Sequence, residues 1–393
     1  MKGRFLAFSG LVLYLFLCFG EGMPAGRGVE NQFPSGKAPP APPPEPDSLT
    51  IVAAGDNLIH ESIIRAAFRE GAYTFDSIYA DIKALIEPAD IAFINQETPL
   101  AGERFGYSRG ITFNTPQVMG KTLAETGFDV VSHANNHALD QGEAGLLATL
   151  DLWDSIPAVQ YLGIHRSREQ RDTRRVIIKK NNITVGFLAY TYGTNVPLPR
   201  DKPYLVSLTE TGVMTGEIDA LRPLCDFLVV SIHWGNEYDH QYNRTQETMA
   251  RFLADHGVDL ILGHHPHVIQ AYQYLPRRQG KNTLCFYSLG NFLAAQDMPN
   301  TLLGGLAYIK IKKVNAETSV ERAAVIPTIT HFDAAYRGFR IYPLYRYTEA
   351  LANSHGRKRP QYELSLAYFT ALARRIFGGG TLDHNPWFGE NSN

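Results

Sequence analysis

The sequence predicts an α/β layered domain, and three observations carry the prediction. Six short β-rich runs recur along the chain and end in polar residues: "LTIVAAGD", "DIAFINQE", "FDVVSHANNH", "TVGFLAY", "FLVVSIHWG" and "VDLILGHHPH". Between them, Asp76–Ile86, Glu143–Trp153 and Thr245–His256 carry apolar residues at helical spacing. Further on, "TLCFYSLGNFL", "GGLAYIKIKKV" and "RAAVIPTITHF" read as strands with no helix between them, which predicts an antiparallel second sheet. Strand, loop and helix in repetition gather loops at the carboxyl edge of a sheet.

Taken in order, the chain opens with Lys2 and Arg4 ahead of an apolar stretch from Phe5 to Phe19, the pattern of a secretory signal. Fifteen apolar residues are few for a membrane span, which needs about 20, so export is favoured over a short uncleaved anchor. Gly20, Gly22 and Ala25 are small enough for a cleavage site. Leu15-Phe16-Leu17-Cys18 loosely resembles a bacterial lipoprotein box, which sets lipidation at Cys18 beside the plainer reading of an incidental cysteine. The expected location is extracytoplasmic: secreted, periplasmic or anchored at the cell surface. From Met23 to Pro46 the composition turns to Pro, Gly and Ala, a stiff spacer that cannot bury a core.

The expected organisation is therefore a leader over 1–22, a linker over 23–47, a main domain over 48–314 and a C-terminal extension over 315–393 that completes the second sheet. Within the extension, Arg357 to Arg359 reads as a charged loop and Gln361 to Phe377 as a peripheral helix. At 393 residues and 44% hydrophobic, the chain can bury a substantial core. A net charge of −2 gives no polybasic case for nucleic acid as a partner. Past the leader only Cys225 and Cys285 are left, both in strand-like runs, where they serve as small buried hydrophobes.

Five of the six runs terminate in residues able to bind a metal: Asp56 with His60, Asn95 with Glu97, Asn135, Asn136 and His137, then His233, and finally His264, His265 and His267. Imidazoles mixed with carboxylate and amide oxygens suit zinc, manganese, iron or nickel, where a thiolate set would mark a closed structural site. Two metals need about seven or eight donors, including a bridging carboxylate, and this set is long enough. In extended chain His265 and His267 point to one side about 6.6 Å apart, so each can face a different ion, whereas His264 points opposite to His265.

Singly, each signal has a plainer explanation. An Asp after a strand is ordinarily a turn or cap residue, and a lone His233 would read as a satisfied core histidine. Asp140 and Glu237 stand close enough to two motifs to orient a histidine, with capping or a surface position as the competing reading. Trp234 reads as a packing residue, His133 as a core residue, and Asn291 in "SLGNF" as structural, beside a glycine that permits a tight turn. His240, His256, His331, His355 and His384 have no motif around them and default to surface or packing.

The ordered motifs "VAAGDNLIH", "INQETPL", "VVSHANNHALDQG", "SIHWGNEY", "GHHPHVIQ" and "YSLGNFL" closely resemble the CapA family of poly-γ-glutamate capsule synthesis proteins, over about three fifths of the chain. The resemblance implies a relation to calcineurin-like metallophosphoesterases and a four-layer αββα sandwich. It implies Asp56 and His60 at a first metal, Glu97 in the place of a bridging Asp, and Asn136 as an amide ligand. His137 would contact the leaving group or substrate, and His233, His265 and His267 would complete the ions. Two departures stand out: His60 follows Asp56 by four residues where phosphoesterases have a His two residues on, and Asn95-Gln96-Glu97 replaces the usual Gly-Asp pair. They leave open one or two divalent ions (Zn, Mn or Fe).

The function expected from these residues is metal-dependent hydrolysis in capsule or cell-envelope polymer metabolism, with poly-γ-glutamate, a wall peptide or a phosphoester as the bond cut. The alternative is a non-catalytic surface factor for poly-γ-glutamate assembly, export or anchoring, working with membrane-bound capsule synthesis proteins.

Overall fold

The structure, a computed structural model, describes residues 47–278, 280–357 and 364–387. The leader, Cys18 and the proline tract lie outside the described residues, as do residues 358–363, which hold most of the expected charged loop. All six β-rich runs form strands. β1 (Asp47–Asn57) is followed by a small hairpin of β2 (Phe68–Arg69) and β3 (Ala72–Tyr73), then by β4 (Ile91–Gln96), β5 (Val130–Ser132) and β6 (Gln160–Leu162). Next come β7 (Val176–Lys180), β8 (Ile183–Thr191), β9 (Phe227–His233), β10 (Leu260–His264), β11 (Tyr272–Pro276) and β12 (Asn282–Phe286). β13 (Asn291–Leu293), β14 (Leu303–Val314), β15 (Glu317–His331) and β16 (Arg340–Pro343) complete the strands of the described residues.

Two large sheets result. The first runs β16-β15-β14-β1-β4-β5-β6, with β13 also beside β1; the second runs β11-β12-β10-β9-β8-β7. Each has a parallel run: β1-β4-β5-β6 forms one side of the first sheet, with antiparallel strands beyond β1, and β8-β9-β10-β12 forms the centre of the second, with an antiparallel strand on each flank. Parallel strands covered on both faces read as continuous apolar runs, which is why "IVAA" and "IAFI" show no polar alternation.

Side-chain alternation in the second sheet separates its two faces. Phe227, Val229, Leu260, Leu262, Leu284 and Phe286 join the core built on the first sheet. Their neighbours Leu228, Val230, Ile232, Ile261, Cys285 and Tyr287 instead pack on the helices Thr211–Leu221 and Arg244–Asp255. The first sheet is covered by Glu61–Ala67, Val118–Thr126 and Gly142–Asp154, through side chains such as Ile63, Leu123 and Leu150. Helix, sheet, sheet and helix thus make the expected four-layer αββα sandwich. Each large side chain buried between layers contributes about 1.5–3 kcal/mol.

Several local expectations change. Asp76–Ile86 is two short helices, Asp76–Tyr79 and Lys83–Ile86, while the periodic stretches at Gly142–Asp154 and Arg244–Asp255 are single helices. The latter starts from a capping box: Asn243 accepts from the Gln246 N–H and Gln246 Oε1 accepts from the Asn243 N–H. The C-terminal strands do not build a separate antiparallel sheet. β14 pairs with the free edge of β1, β15 with β14 and β16 with β15, so they widen the first sheet. Strand character is local, but the partner of a strand is not. Residue 314 falls at a two-residue hairpin turn, Asn315-Ala316, whose φ values of 50° and 67° suit a primed turn. Cys285 is buried and Cys225 half-buried, both as free thiols. Among the described residues no helix is long and apolar enough to cross a membrane.

Candidate metal centre

The carboxyl ends of both parallel runs meet at one rim, and backbone geometry there is specialised. A Cβ on Gly55 would lie 2.0 Å from the Gly290 carbonyl oxygen, so only glycine lets that turn seat against β1. The Asp56 N–H donates to this same carbonyl at 2.9 Å. The β1–β4 register shifts between Ala54 and Asp56, a bulge that re-aims Asp56 at the strand end. Its Oδ1 accepts from Asn95 Nδ2 at 2.8 Å and its Oδ2 from the His265 N–H at 3.1 Å.

β10 ends at His264, and the chain then turns instead of continuing extended: φ is 98° at His265 and 58° at His267. The extended-chain spacing is therefore not what separates these two histidines, whose ring centroids are 5.9 Å apart. Left-handed backbone at two non-glycine residues is strain of the kind that clusters at functional sites. Asp56, Glu97 and His267 offer ligand atoms all within 4.8 Å of one another, and so do Glu97, His233 and His265. Glu97 belongs to both groups. Its Oε1 lies 3.5 Å from His233 Nε2 and 3.7 Å from His267 Nε2. Asn136 Oδ1 stands 2.9 Å from His233 Nε2, which places the amide with the second group. Two ligands at about 2.1 Å from a common ion lie roughly 3–3.5 Å apart, close to these separations.

Other expected residues sit differently. His60 precedes the helix Glu61–Ala67 and falls in neither group; its Nδ1 lies 3.0 Å from the Leu58 oxygen and 3.2 Å from the Ala295 nitrogen. Glu237, expected to orient a histidine, has a carboxylate within 4.8 Å of ring nitrogens of both His265 and His267. His264 points between the sheets, stacked at 28° on Phe93 with Nδ1 3.3 Å from Asp56 Oδ1. Trp234 packs on Tyr287 and donates to its carbonyl, and His133 accepts from Trp153 Nε1 inside the core.

The electrostatics of the cluster call for a cation. Burial pushes the Glu97 carboxyl well above the usual carboxylate range, outweighing the pull of His267. Burial acts on Asp56 too, but hydrogen bonds and charge from His264 and His267 hold it well below that range. Burial lowers His233 well below its ordinary value, and His265 to about 3, so both rings stay neutral. For His267 burial again opposes charge, yet the Glu97 and Asp56 carboxylates raise it to about 9. Both Glu97 oxygens, His233 Nδ1 and His265 Nδ1 are buried with no hydrogen-bond partner. An unpartnered buried carboxylate costs several kcal/mol. Carboxylate, amide and imidazole donors together fit a divalent ion such as Zn, Mn or Fe.

Beside the cluster, His137 Nδ1 lies 2.8 Å from Asp140 Oδ2, which also accepts from the Phe113 N–H at 2.8 Å. The Phe113 ring meets His137 edge-on at 4.7 Å, and His137 lines a cleft of about 1040 Å³ together with His265 and His267. Three further side chains make positioning contacts with the cluster. Asn291 Oδ1 stands 3.1 Å from His267 Nδ1 while its amide donates to Gln296 Oε1 and the Thr301 oxygen. Asn195 donates its N–H to the Asn136 carbonyl at 2.7 Å, and Tyr192 lies against His265 at 4.8 Å. The "SLGNF" signal pointed at Asn291; nothing in "TYGTN" marks Tyr192 or Asn195.

The sequence profile "Bacterial capsule synthesis protein PGA_cap" matches residues 50–296. The "PGA biosynthesis protein CapA" of Bacillus subtilis (strain 168) is 28% identical over 277 residues, covering 68% of this chain and 69% of that one. The "Capsule biosynthesis protein CapA" of Bacillus anthracis is 27% identical over 267 residues, covering 65% of this chain and 62% of that one. The chain thus spans about two thirds of the length of these relatives. Among solved structures, the calcineurin-like phosphoesterase YfkN from Bacillus subtilis aligns with a TM-score of 0.41 at 15% identity, over 72% of this chain and 90% of that one. Because the profile match runs over more than half of the chain and takes in the whole rim from Asp56 to Asn291, this protein belongs to the bacterial capsule synthesis (PGA_cap) family.

Proposed function

We propose that this chain is an exported, metal-dependent hydrolase of capsule or cell-envelope polymer metabolism. The observation that carries the reading is Glu97: a fully buried carboxylate with two unpartnered oxygens, shared by two groups of ligand-type side chains of which His265 and His267 line the cleft. Asp56, Glu97 and His267 would hold one ion, and Glu97, His233 and His265, with Asn136 beside them, a second. Bound divalent ions supply Lewis-acid polarisation of the scissile carbonyl or phosphoryl group and acidify water. The remaining work falls to the chain. Asn95 and the His265 N–H fix the Asp56 carboxylate, and Asn291 fixes the His267 ring. With Nδ1 engaged by Asp140, His137 has Nε2 left to hand a proton to the departing group.

Family membership supports an envelope polymer as substrate, with the amide bonds of poly-γ-glutamate or a wall peptide, or a phosphoester, as the bond cut. Export rests on the leader and is tested by fractionating cells that express the full chain. Metal analysis of the purified protein should find one or two ions, and a chelator should abolish turnover of poly-γ-glutamate or a generic phosphodiester. His137→Ala should keep the metal and lower turnover about 10²–10⁴-fold; unchanged turnover rejects the assignment, and a metal-free protein rejects the whole reading. The relatives' names speak of biosynthesis, which favours a second reading: a non-catalytic surface factor that binds poly-γ-glutamate for assembly. Binding without cleavage, unaffected by His137→Ala, would support it.

A further inference from the structure

Where β6 of the first sheet comes beside β7 and β8 of the second, a small cavity of about 40 Å³ opens, a few times the room one water needs. Its lining is cationic. Arg171, Arg174 and Arg175 accompany a single carboxylate, Glu217, which is already engaged: Oε1 accepts from Arg171 Nε at 3.1 Å and Oε2 from the Tyr190 hydroxyl at 2.6 Å. Carbonyl oxygens hold the other two arginines. Arg174 Nη1 donates to the Tyr161 carbonyl, with the guanidinium over the Tyr161 ring at 3.9 Å, and Arg175 Nη1 donates to the Arg174 carbonyl at 3.1 Å. All three arginines are half-buried, and burial works against the charge of Arg174. An oxyanion that accepts from two guanidinium N–H groups at once offsets such a cost.

A histidine completes the wall. His165, three residues past β6, has Nε2 2.9 Å from Ser207 Oγ, while its Nδ1 is buried with no hydrogen-bond partner. Burial, aided by the Arg171 and Arg174 charges, lowers the ring from 6.5 to about 3, so it stays neutral. When the Ser207 hydroxyl donates to Nε2, the ring proton sits on Nδ1, a buried donor in want of an acceptor. Guanidinium and imidazole N–H groups all donate. The partner that suits them together is a negatively charged acceptor.

We infer that this cavity binds one oxyanion, a carboxylate or phosphate group, between Arg174, Arg175 and His165. It is separate from the metal rim, since none of its lining residues lines the cleft there. The group belongs to a small free anion or to a longer polymer, and three probes tell these apart. Inorganic phosphate, L-glutamate and a short γ-linked glutamate oligomer are titrated calorimetrically into the full chain in excess chelator. The chelator keeps metal-bound anion out of the signal, so the outcome is independent of the hydrolase reading. At least one probe should bind one to one, less tightly at high salt. Binding of phosphate or glutamate marks a free anion as the ligand, and binding of the oligomer alone marks a polymer. Arg174→Gln, Arg175→Gln and His165→Phe should each weaken binding about tenfold, with Arg174→Lys, which keeps the charge, weakening it less. Anion-free melting temperatures check that each variant folds, and Arg175→Gln keeps the test informative where loss of the Arg174 stack on Tyr161 unfolds the chain. Binding of none of the probes, or binding that all the folded variants leave unchanged, overturns the inference.

Discussion

Two buried carboxylates at opposite ends of the strands have opposite surroundings. Asp259, just ahead of β10, is closed by the protein itself: Oδ2 accepts from Arg222 and the Leu228 N–H, and Oδ1 from Arg277. Glu97, just past β4, is fully buried, and neither oxygen accepts a hydrogen bond. A carboxylate that serves the fold brings its own cations, because a buried charge left alone costs more than almost any packing defect. Asp259 meets that condition with two guanidinium groups and a backbone N–H, whereas Glu97 has only the His267 ring, 3.7 Å away, and no hydrogen bond.

The contrast can be broken by exchanging each carboxylate for its amide. Asp259→Asn should destabilise the protein by about 3 kcal/mol with or without metal, since two guanidinium groups lose their counter-charge; a loss under about 1 kcal/mol in urea unfolding would undo the comparison. Glu97→Gln should leave the metal-free protein at least as stable as the parent, because it removes a charge that burial disfavours. It should also abolish the stabilisation by added manganese, about 2.7 kcal/mol at a hundredfold excess over Kd. Thermal melts with and without metal read both effects. Asn291→Ala should weaken metal affinity about 10–100-fold by freeing the His267 ring, as followed by competition with a chelating dye.

The smallest effect concerns pH, away from the metal side chains. Burial lowers His133 from its ordinary 6.5 to about 3, as befits a ring whose Nε2 accepts from Trp153. The unfolded chain takes up this proton near 6.5 and the folded protein only near 3, so stability falls as pH drops through that window. Urea midpoints at pH 7 and pH 5 should differ in this sense, and His133→Gln, which keeps an acceptor, should flatten the slope by up to one proton.

Much of the rim was legible from residue order. A run of apolar residues that breaks into Asp, Glu, Asn or His marks a strand end with a polar task, and Asp56, Glu97, Asn136, His233, His265 and His267, singled out in this way, lie together at one rim. Periodicity also separated His264 from its neighbour: like Leu260 and Leu262 on β10, it faces the core between the sheets. His60, whose spacing from Asp56 departs from the phosphoesterase pattern, stands ahead of the helix Glu61–Ala67 with its ring turned to Leu58 and Phe113. Tyr192 and Asn195 were invisible because loops follow no period, and their role depends on which strand ends lie beside them.

By itself, then, the amino-acid order determined the alternation of strands and helices and the kinds of donor at each strand end, because each of these is settled by a few neighbouring residues. Only the tertiary structure decided that β14 to β16 widen the first sheet, that Glu97 serves two donor groups, and that an N–H at His265 reaches an acid 209 positions earlier in the chain. Such meetings depend on strand order and crossovers, which join segments from two sheets and leave no mark in any single one of them.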